Sequence, residues 1–358
     1  MNIAIGGKLR RKLRPKRLRR IAQISTKFAK KFATKIPKPQ GDIGRLFLLT
    51  LLLFGVMATL NPDRFLTSRN FQSMAFQFPE LGLLALAVMI PLITAGIDLS
   101  IVSIANLAGI MAALVLTHGT TSASESALAR TASAILVGVT TGALCGAFNG
   151  LLVGRFGLTP ILATLGTLQL FMGLAFVITK GPAIAGFPEP FLWLGNARLV
   201  GVPVPLLLFA VVTLLTAFLL SRTRVGLQLY LLGANETAAL YAGFNRPSLL
   251  FRTYLFSGAV AGLAGLLMIA RTNSAKADYG TSYLLQAILV AILGGVSPAG
   301  GAGSVTGVVL ALLSLQFISS GFSSLRLSQF TQEFAWGALL IVVMVLNVMA
   351  RRPLRRHS

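Results

Sequence analysis

The sequence is poor in the residues that most enzyme chemistry needs. Cysteine occurs once, at Cys145, so no disulfide can form within the chain. It sits in an apolar run, where a small side chain packs. Two histidines and one cysteine make no metal-ligand cluster. His118 and His357 fall in a loop and a tail, which leaves no Ser-His-Asp set. The glycine-rich stretch 294–307 lacks the Lys-Ser or Lys-Thr pair that follows the last glycine of a phosphate-binding loop. It reads as a tight turn and packing element. No catalytic residue, bound metal or cofactor is expected. Acidic residues number nine, against 32 Lys and Arg.

Apolar residues are abundant. They make up 55% of 358 positions, only 11% are charged, and the mean hydropathy is +0.79. Apolar runs of about 20 residues span roughly 30 Å of hydrocarbon as helices. The runs are continuous and lack the alternation of a membrane barrel strand. The predicted fold is all-α: a polytopic transmembrane bundle of about ten spans. These lie near 44–60, 73–95, 100–117, 131–154, 158–179, 199–220, 249–270, 283–296, 303–320 and 331–349. Residues 1–43 form a basic cytoplasmic tail, 44–350 the membrane domain, and 351–358 a second basic tail.

The net charge of +23 invites a nucleic-acid reading, but its placement argues against one. Residues 1–45 hold fifteen Lys and Arg, and "ARRPLRRHS" holds four more. Such clusters beside membrane segments set orientation and meet anionic lipid. No nucleic-acid recognition fold accompanies them. With ten spans both termini share one side. Placing them in the cytoplasm puts 24 basic residues inside and 8 outside, the inside set including Arg222, Arg224, Arg246 and Arg252.

The stretch "LLGANETAALYAGFNRPS" at 231–248 is then a cytoplasmic island between two spans. Asn235 suits an N-cap and Glu236 the positive end of a helix dipole. Gly243 suits a left-handed stop, and Pro247 starts the next element. The short helix, Glu236 to Ala242, needs something to pack on. Two readings fit: a rod that enters a groove on a partner, or a connector resting on the protein's own membrane face.

Acids inside spans are costly and carry a reason. Asp98 lies in "ITAGIDLSIVSIANLAG", with Gly96 before it and Ser100 after it. The pattern predicts a break between two helices, with Asp98 or Ser100 capping the second; a part in gating or substrate contact is the other reading. Glu80, after Pro79, is expected at the outer start of a span, and Glu333 in the first turn of the last. The small-residue runs "GALCGAFNG" and "SGAVAGLAG" predict close helix approach.

Four blocks are similar to those of bacterial ribose-type sugar permeases of ABC importers, and more loosely to branched-chain amino acid and nucleoside permeases. They are "AGIDLS" at 95–100, "GAFNGLLVGRFGLTPILATLGTLQLFMGLA" at 146–175, "GANETAALYAGFNRPSLLFRTYLFSGAVAGLAGLL" at 233–267 and "ILGGVSPAGGAGSVTGVVLALL" at 292–313. The resemblance covers about 45–349. It implies two permease chains on a separate ABC ATPase, fed by a periplasmic sugar-binding protein, in the bacterial inner membrane. It implies that Asn235, Glu236, Ala238, Ala239 and Gly243 belong to the helix that docks into the ATPase. The family commonly has Gly-Gly before Ile-Asp-Leu-Ser, where this chain has Ala95-Gly96. It often carries an acid and an Asp where this chain reads Tyr283, Leu284, Leu285, Gln286. Such departures leave room for a second permease of the same or different sequence, as in importers for autoinducer-2 and some pentoses.

The function so implied is passage of a monosaccharide or small polyol by alternating access. Asn106, Asn149, Thr164, Thr167 and Gln169 are candidates for a polar path, or for packing between helices. The alternative is an ion-coupled transporter needing no ATPase, for which Asp98 is the one candidate acid.

Overall fold

A computed structural model describes residues 40–117 and 126–351. The basic N-terminal tail, His118, His357 and the last residues lie outside the described part. Everything below concerns the compact unit Ile43–Ser358.

The described chain is almost wholly helical. In order it forms α1 (Gln40–Leu60), α2 (Pro62–Phe65), α3 (Ser68–Ile93), α4 (Ile101–Thr117), α5 (Ala127–Gly154) and α6 (Pro160–Thr179). There follow α7 (Glu189–Asn196), α8 (Val204–Arg222), α9 (Arg224–Ala234), α10 (Glu236–Tyr241) and α11 (Arg246–Thr272). The last are α12 (Tyr283–Leu293), α13 (Val305–Ser324) and α14 (Gln329–Arg351). Two antiparallel two-residue pairings complete it: Ile184–Ala185 with Ser274–Ala275, and Arg198–Leu199 with Val202–Pro203.

Among the described residues, seven helices are long and apolar enough to cross a membrane. Three shorter apolar helices, Ile101–Thr117, Tyr283–Leu293 and Phe330–Val345, fall on the third, eighth and tenth expected spans. The eighth departs most. α12 has 11 residues, about 16 Å and half the hydrocarbon thickness. The chain turns back after it because Gly295, Gly300 and Gly301 take positive φ.

Glu80 also departs from expectation. Thr67 caps α3 by accepting from Asn70 N, so the helix starts at Ser68 and runs through Pro79. Glu80 therefore lies well inside the helix, buried, not at its outer end. Glu333 falls in the second turn of α14, because that helix begins at Gln329.

α3, α4 and α11 are the inner helices, while α1, α6 and α8 turn leucines and valines outward. The outward apolar surface suits hydrocarbon. The tightest packing joins α5 to α11. Gly138, Gly142, Gly146, Gly150 and Gly154 recur every fourth residue on α5, forming one stripe. Gly142 and Gly146 face Gly258, and Gly142 also faces Gly262. A Cβ on Gly142 would stand 2.8 Å from Gly262 Cα, which leaves no room for a side chain. Backbones this close gain dispersion contact along their whole length, which is the main attraction between helices in lipid. Ser257 Oγ adds a bond to Ala87 O of α3 at 2.8 Å.

Gly142→Leu is expected to destabilise the purified protein by at least 1–3 kcal/mol (roughly, the overpacking range) and to lower its membrane level. Gly166→Leu on α6 meets open space and should leave both unchanged. Thermal unfolding in detergent compares the two directly.

Candidate functional site

The site is built around the interruption between α3 and α4. α3 stops because three successive carbonyls turn to other partners. Pro91 O accepts from Thr94 N and Gly96 N, Leu92 O from Ala95 N, and Ile93 O from Gly301 N at 2.8 Å. Ala95 has φ +61, a left-handed conformation that a Cβ disfavours. Gly96 lies where a Cβ would meet the Tyr254 hydroxyl at 2.7 Å. That hydroxyl is buried and makes no hydrogen bond within the described residues.

Asp98 is fully buried and begins α4's cap. Its Oδ1 accepts from Ser100 N at 3.0 Å and from Ser100 Oγ at 2.6 Å. Ser100 O in turn accepts from Ile104 N, the first helical bond of α4. Asn149 Nδ2 of α5 donates to Ser100 Oγ at 2.7 Å. The order is amide to hydroxyl to carboxylate, with Asn149 Nδ2 also 3.5 Å from both Asp98 carboxylate oxygens. Thr164 of α6 holds the other side, its hydroxyl lying 3.0 Å from Ile97 O and 2.8 Å from Pro160 O. Asp98 is thus a capping acid in a polar knot that ties three helices. A buried polar network gains rigidity only when its members are satisfied, and this one nearly is.

The other polar path candidates are placed as follows. Thr167 is buried and donates to Thr164 O. Asn106 is buried on α4 and donates to Ala277 O and Tyr279 O, both at 2.9 Å. Gln169 is exposed on α6, away from the knot. The structure brings together Gly96, Asp98, Ser100, Asn149, Thr164 and Thr167, and leaves Asn106 and Gln169 apart.

The predicted short helix is present as α10, with both ends capped. Asn235 Oδ1 accepts from Ala238 N at 2.9 Å. At the other end Phe244 N bonds Ala239 O and Gly243 N bonds Leu240 O, with Gly243 at φ +83. That pair of bonds is a Schellman stop. Glu236 pairs with Arg246 at the start of α11. Ala239 is buried against the protein itself, so it anchors the helix and is not part of its free face. Ala238 and Leu240 are on the free face, with Tyr241 87% exposed. Leu240 and Tyr241, inside the short rod that the sequence predicts over Glu236 to Ala242, supply the large side chains of this face.

The residues that join α10 to the interruption were not foreseen. Gly233, two positions before Asn235, packs against Ile93 O and Gly301 N. Gly301 and Gly300 press on Ala234 and Ala95 respectively. Tyr230 of α9 donates to Gly303 O at 2.9 Å. Burial pushes its phenol up to about 12, so it stays a donor at neutral pH. The glycine-rich turn is therefore a wedge between α9 and the end of α3.

A multi-pass helical bundle with a broken helix held by polar bonds in its interior is the architecture of a solute permease. Comparison with known proteins agrees. Residues 70–348 match the family described as branched-chain amino acid transport system / permease component. The chain is 33% identical over 304 residues to the D-allose transport system permease protein of Escherichia coli (strain K12), covering 85% of this chain and 90% of that one. It is 32% identical over 301 residues to the ribose import permease protein of the same strain, covering 83% and 91%. It is 33% identical over 306 residues to the autoinducer 2 import system permease protein of Enterobacter sp. (strain 638), covering 84% and 90%. No solved structure matches. The chain belongs to this permease family and is a multi-pass transport subunit of an importer.

Three substitutions test the knot. Ala95→Gly removes the left-handed strain and is expected to raise stability by about 1 kcal/mol. Asp98→Asn keeps an acceptor for Ser100 N and should be mild, whereas Asp98→Leu should cost about 2 kcal/mol or more by leaving Ser100 N and Ser100 Oγ without their shared acceptor. Melting temperatures of the three variants give the order.

Proposed function

We propose that this chain is the permease of an ABC importer for a monosaccharide or similar small polyol, with α10 as the ATPase-coupling helix and the α3–α4 interruption as the gate. It would sit in a bacterial inner membrane with both termini cytoplasmic, beside a second permease chain, identical or different. ATP hydrolysis would occur on a separate subunit, and a periplasmic protein would deliver the sugar. No cofactor is assigned to the chain.

One observation carries the coupling reading. The segment leading into α10 touches the end of α3 backbone to backbone, through Gly233 and the Ile93 carbonyl. A partner that pushes on Leu240 and Tyr241 moves Gly233, and Gly233 has no side chain to yield. The push then reaches Ala95 and Gly96, where α3 is already broken. Asn149 and Thr164 hold the far side of that break against α5 and α6, and Asn106 braces α4 against the loop after α11. Energy reaches the gate as a population shift between two packings of the break.

The sugar reading rests on the relatives, whose names include D-allose and ribose. An ion-coupled mechanism would need an acid exposed to a pathway. Asp98 is instead enclosed by hydrogen bonds.

Tagging the chain, crosslinking in native membranes and identifying co-purifying proteins is expected to recover a P-loop ATPase in stoichiometric amount. Its absence, with solute carried by the purified chain alone on a proton or sodium gradient, would overturn the reading. Glu236→Ala and Gly243→Leu are expected to lower uptake while ATP hydrolysis persists. The second forces a side chain into φ +83, at roughly 1–2 kcal/mol. Normal uptake in both would remove the docking assignment.

A further inference from the structure

At the opposite end of the bundle lies a cleft of about 340 Å³, lined by Ser73, Phe76, Gln77, Asn196, Arg198 and Arg271. Its place follows from helix geometry. α11 carries the coupling end at Arg246 and the cleft at Arg271, about 38 Å apart along one helix. That separation exceeds the hydrocarbon thickness, so the two features open on opposite membrane faces. On α3 the cleft lies about 24 Å from the broken end, down the same inner helix.

The cleft is held in shape from beneath. Arg271 Nε lies 3.0 Å from Glu80 Oε1, and Glu80 is 3% exposed. The pair sets the guanidinium in place, and Arg271 Nη1 remains buried with no partner within the described residues. Arg198 is fixed by Gln72 Oε1 at 2.9 Å and by the Phe76 ring, 5.6 Å from its centroid. Asn196 Nδ2 is bound to Ala270 O at 2.9 Å, which leaves Oδ1 free within the described residues. Gln77 Nε2 is bound to Ser73 Oγ at 2.9 Å, which leaves Oε1 and the Ser73 hydroxyl proton free. The cleft thus offers two carbonyl acceptors, one hydroxyl and two guanidinium edges around one aromatic ring.

We infer that this cleft is the outer sugar subsite of the permease, where a polyhydroxylated ring is received before it passes toward the broken helix. The inference rests on the sugar-importer reading above. Vicinal hydroxyls suit paired amide and guanidinium groups, because each hydroxyl both donates and accepts. The apolar face of a sugar ring suits Phe76. The volume is at the low end of small-molecule sites, about 300–1,000 Å³. Glu80 acts as a positioning residue through Arg271.

The test uses the intact complex in liposomes, with its own ATPase and binding protein, the latter saturating. Uptake of D-ribose and D-allose is measured beside their single-hydroxyl deoxy analogues. Gln77→Leu and Ser73→Ala are chosen because these side chains carry no buried structural bond. Each is expected to change the parent-to-deoxy uptake ratio by about two- to tenfold, the size of one lost hydrogen bond. Melting temperature and ATP hydrolysis stimulated by the binding protein should stay at wild-type values. Equal loss for all sugars with weaker stimulation would make the cleft a seat for the binding protein and overturn the subsite. Unchanged ratios in both variants would overturn it as well. A wild-type complex that hydrolyses ATP but carries none of these sugars would remove the sugar reading itself, and the subsite with it.

Discussion

Everything in this bundle depends on how closely α5 and α11 approach. Hydrocarbon offers apolar helices no reason to associate by burial alone, so contact area and short-range dispersion must do it. The glycine stripe of α5 brings backbone to backbone against Gly258 and Gly262. That seam fixes α11, and α11 fixes much else. Its first turn pairs with α10 through Arg246, its middle places Tyr254 on Gly96, and its end holds Arg271 in the cleft at the other end of the bundle.

Around that seam, polar groups occur where the backbone cannot stay helical. The α3–α4 interruption frees donors and acceptors in an interior without water, and each must find a partner there. The freed carbonyls of α3 are met by its own last turn and by Gly301. The start of α4 is met by Asp98 and Ser100, and Asn149 and Thr164 reach in from the flanking helices. A break bonded to elements on both of its sides has few arrangements open to it. A part with few discrete arrangements transmits a push as a switch and not as a gradual deformation.

The two ends of the molecule are built on different principles. At one end α10, a helix of six residues, is capped at both ends and exposes Leu240 and Tyr241. It is stiff for its size and tied to the α3–α4 interruption by backbone contact through Gly233. At the other end the surface is concave and rich in amides and guanidinium groups, with one buried ion pair beneath. A convex apolar rod suits a protein groove, and a concave polar pocket suits a small hydrated solute.

The sequence by itself determined the class of fold, the short capped helix and the break. Continuous apolar runs force helices, Asn235 and Gly243 mark two helix ends, and an acid at Asp98 in an apolar stretch demands a special backbone. It also announced close packing through "GALCGAFNG" and "SGAVAGLAG". These are local signals, readable within a few turns of chain. What only the tertiary structure decided is partnership across distance. Glu80 looked like the outer start of a span because of Pro79, but a cap at Thr67 extends α3 past it, and its meaning comes from Arg271. Asn149 and Ser100 are 49 positions apart, and Gly233 meets Ile93 and Gly301 from different elements. α12 reads as a span by hydropathy but ends after 11 residues, where the glycine-rich turn folds back onto α9 and α3. Local pattern fixes which residues become helix. Which helix ends meet depends on backbone approach distances that no single stretch of sequence encodes.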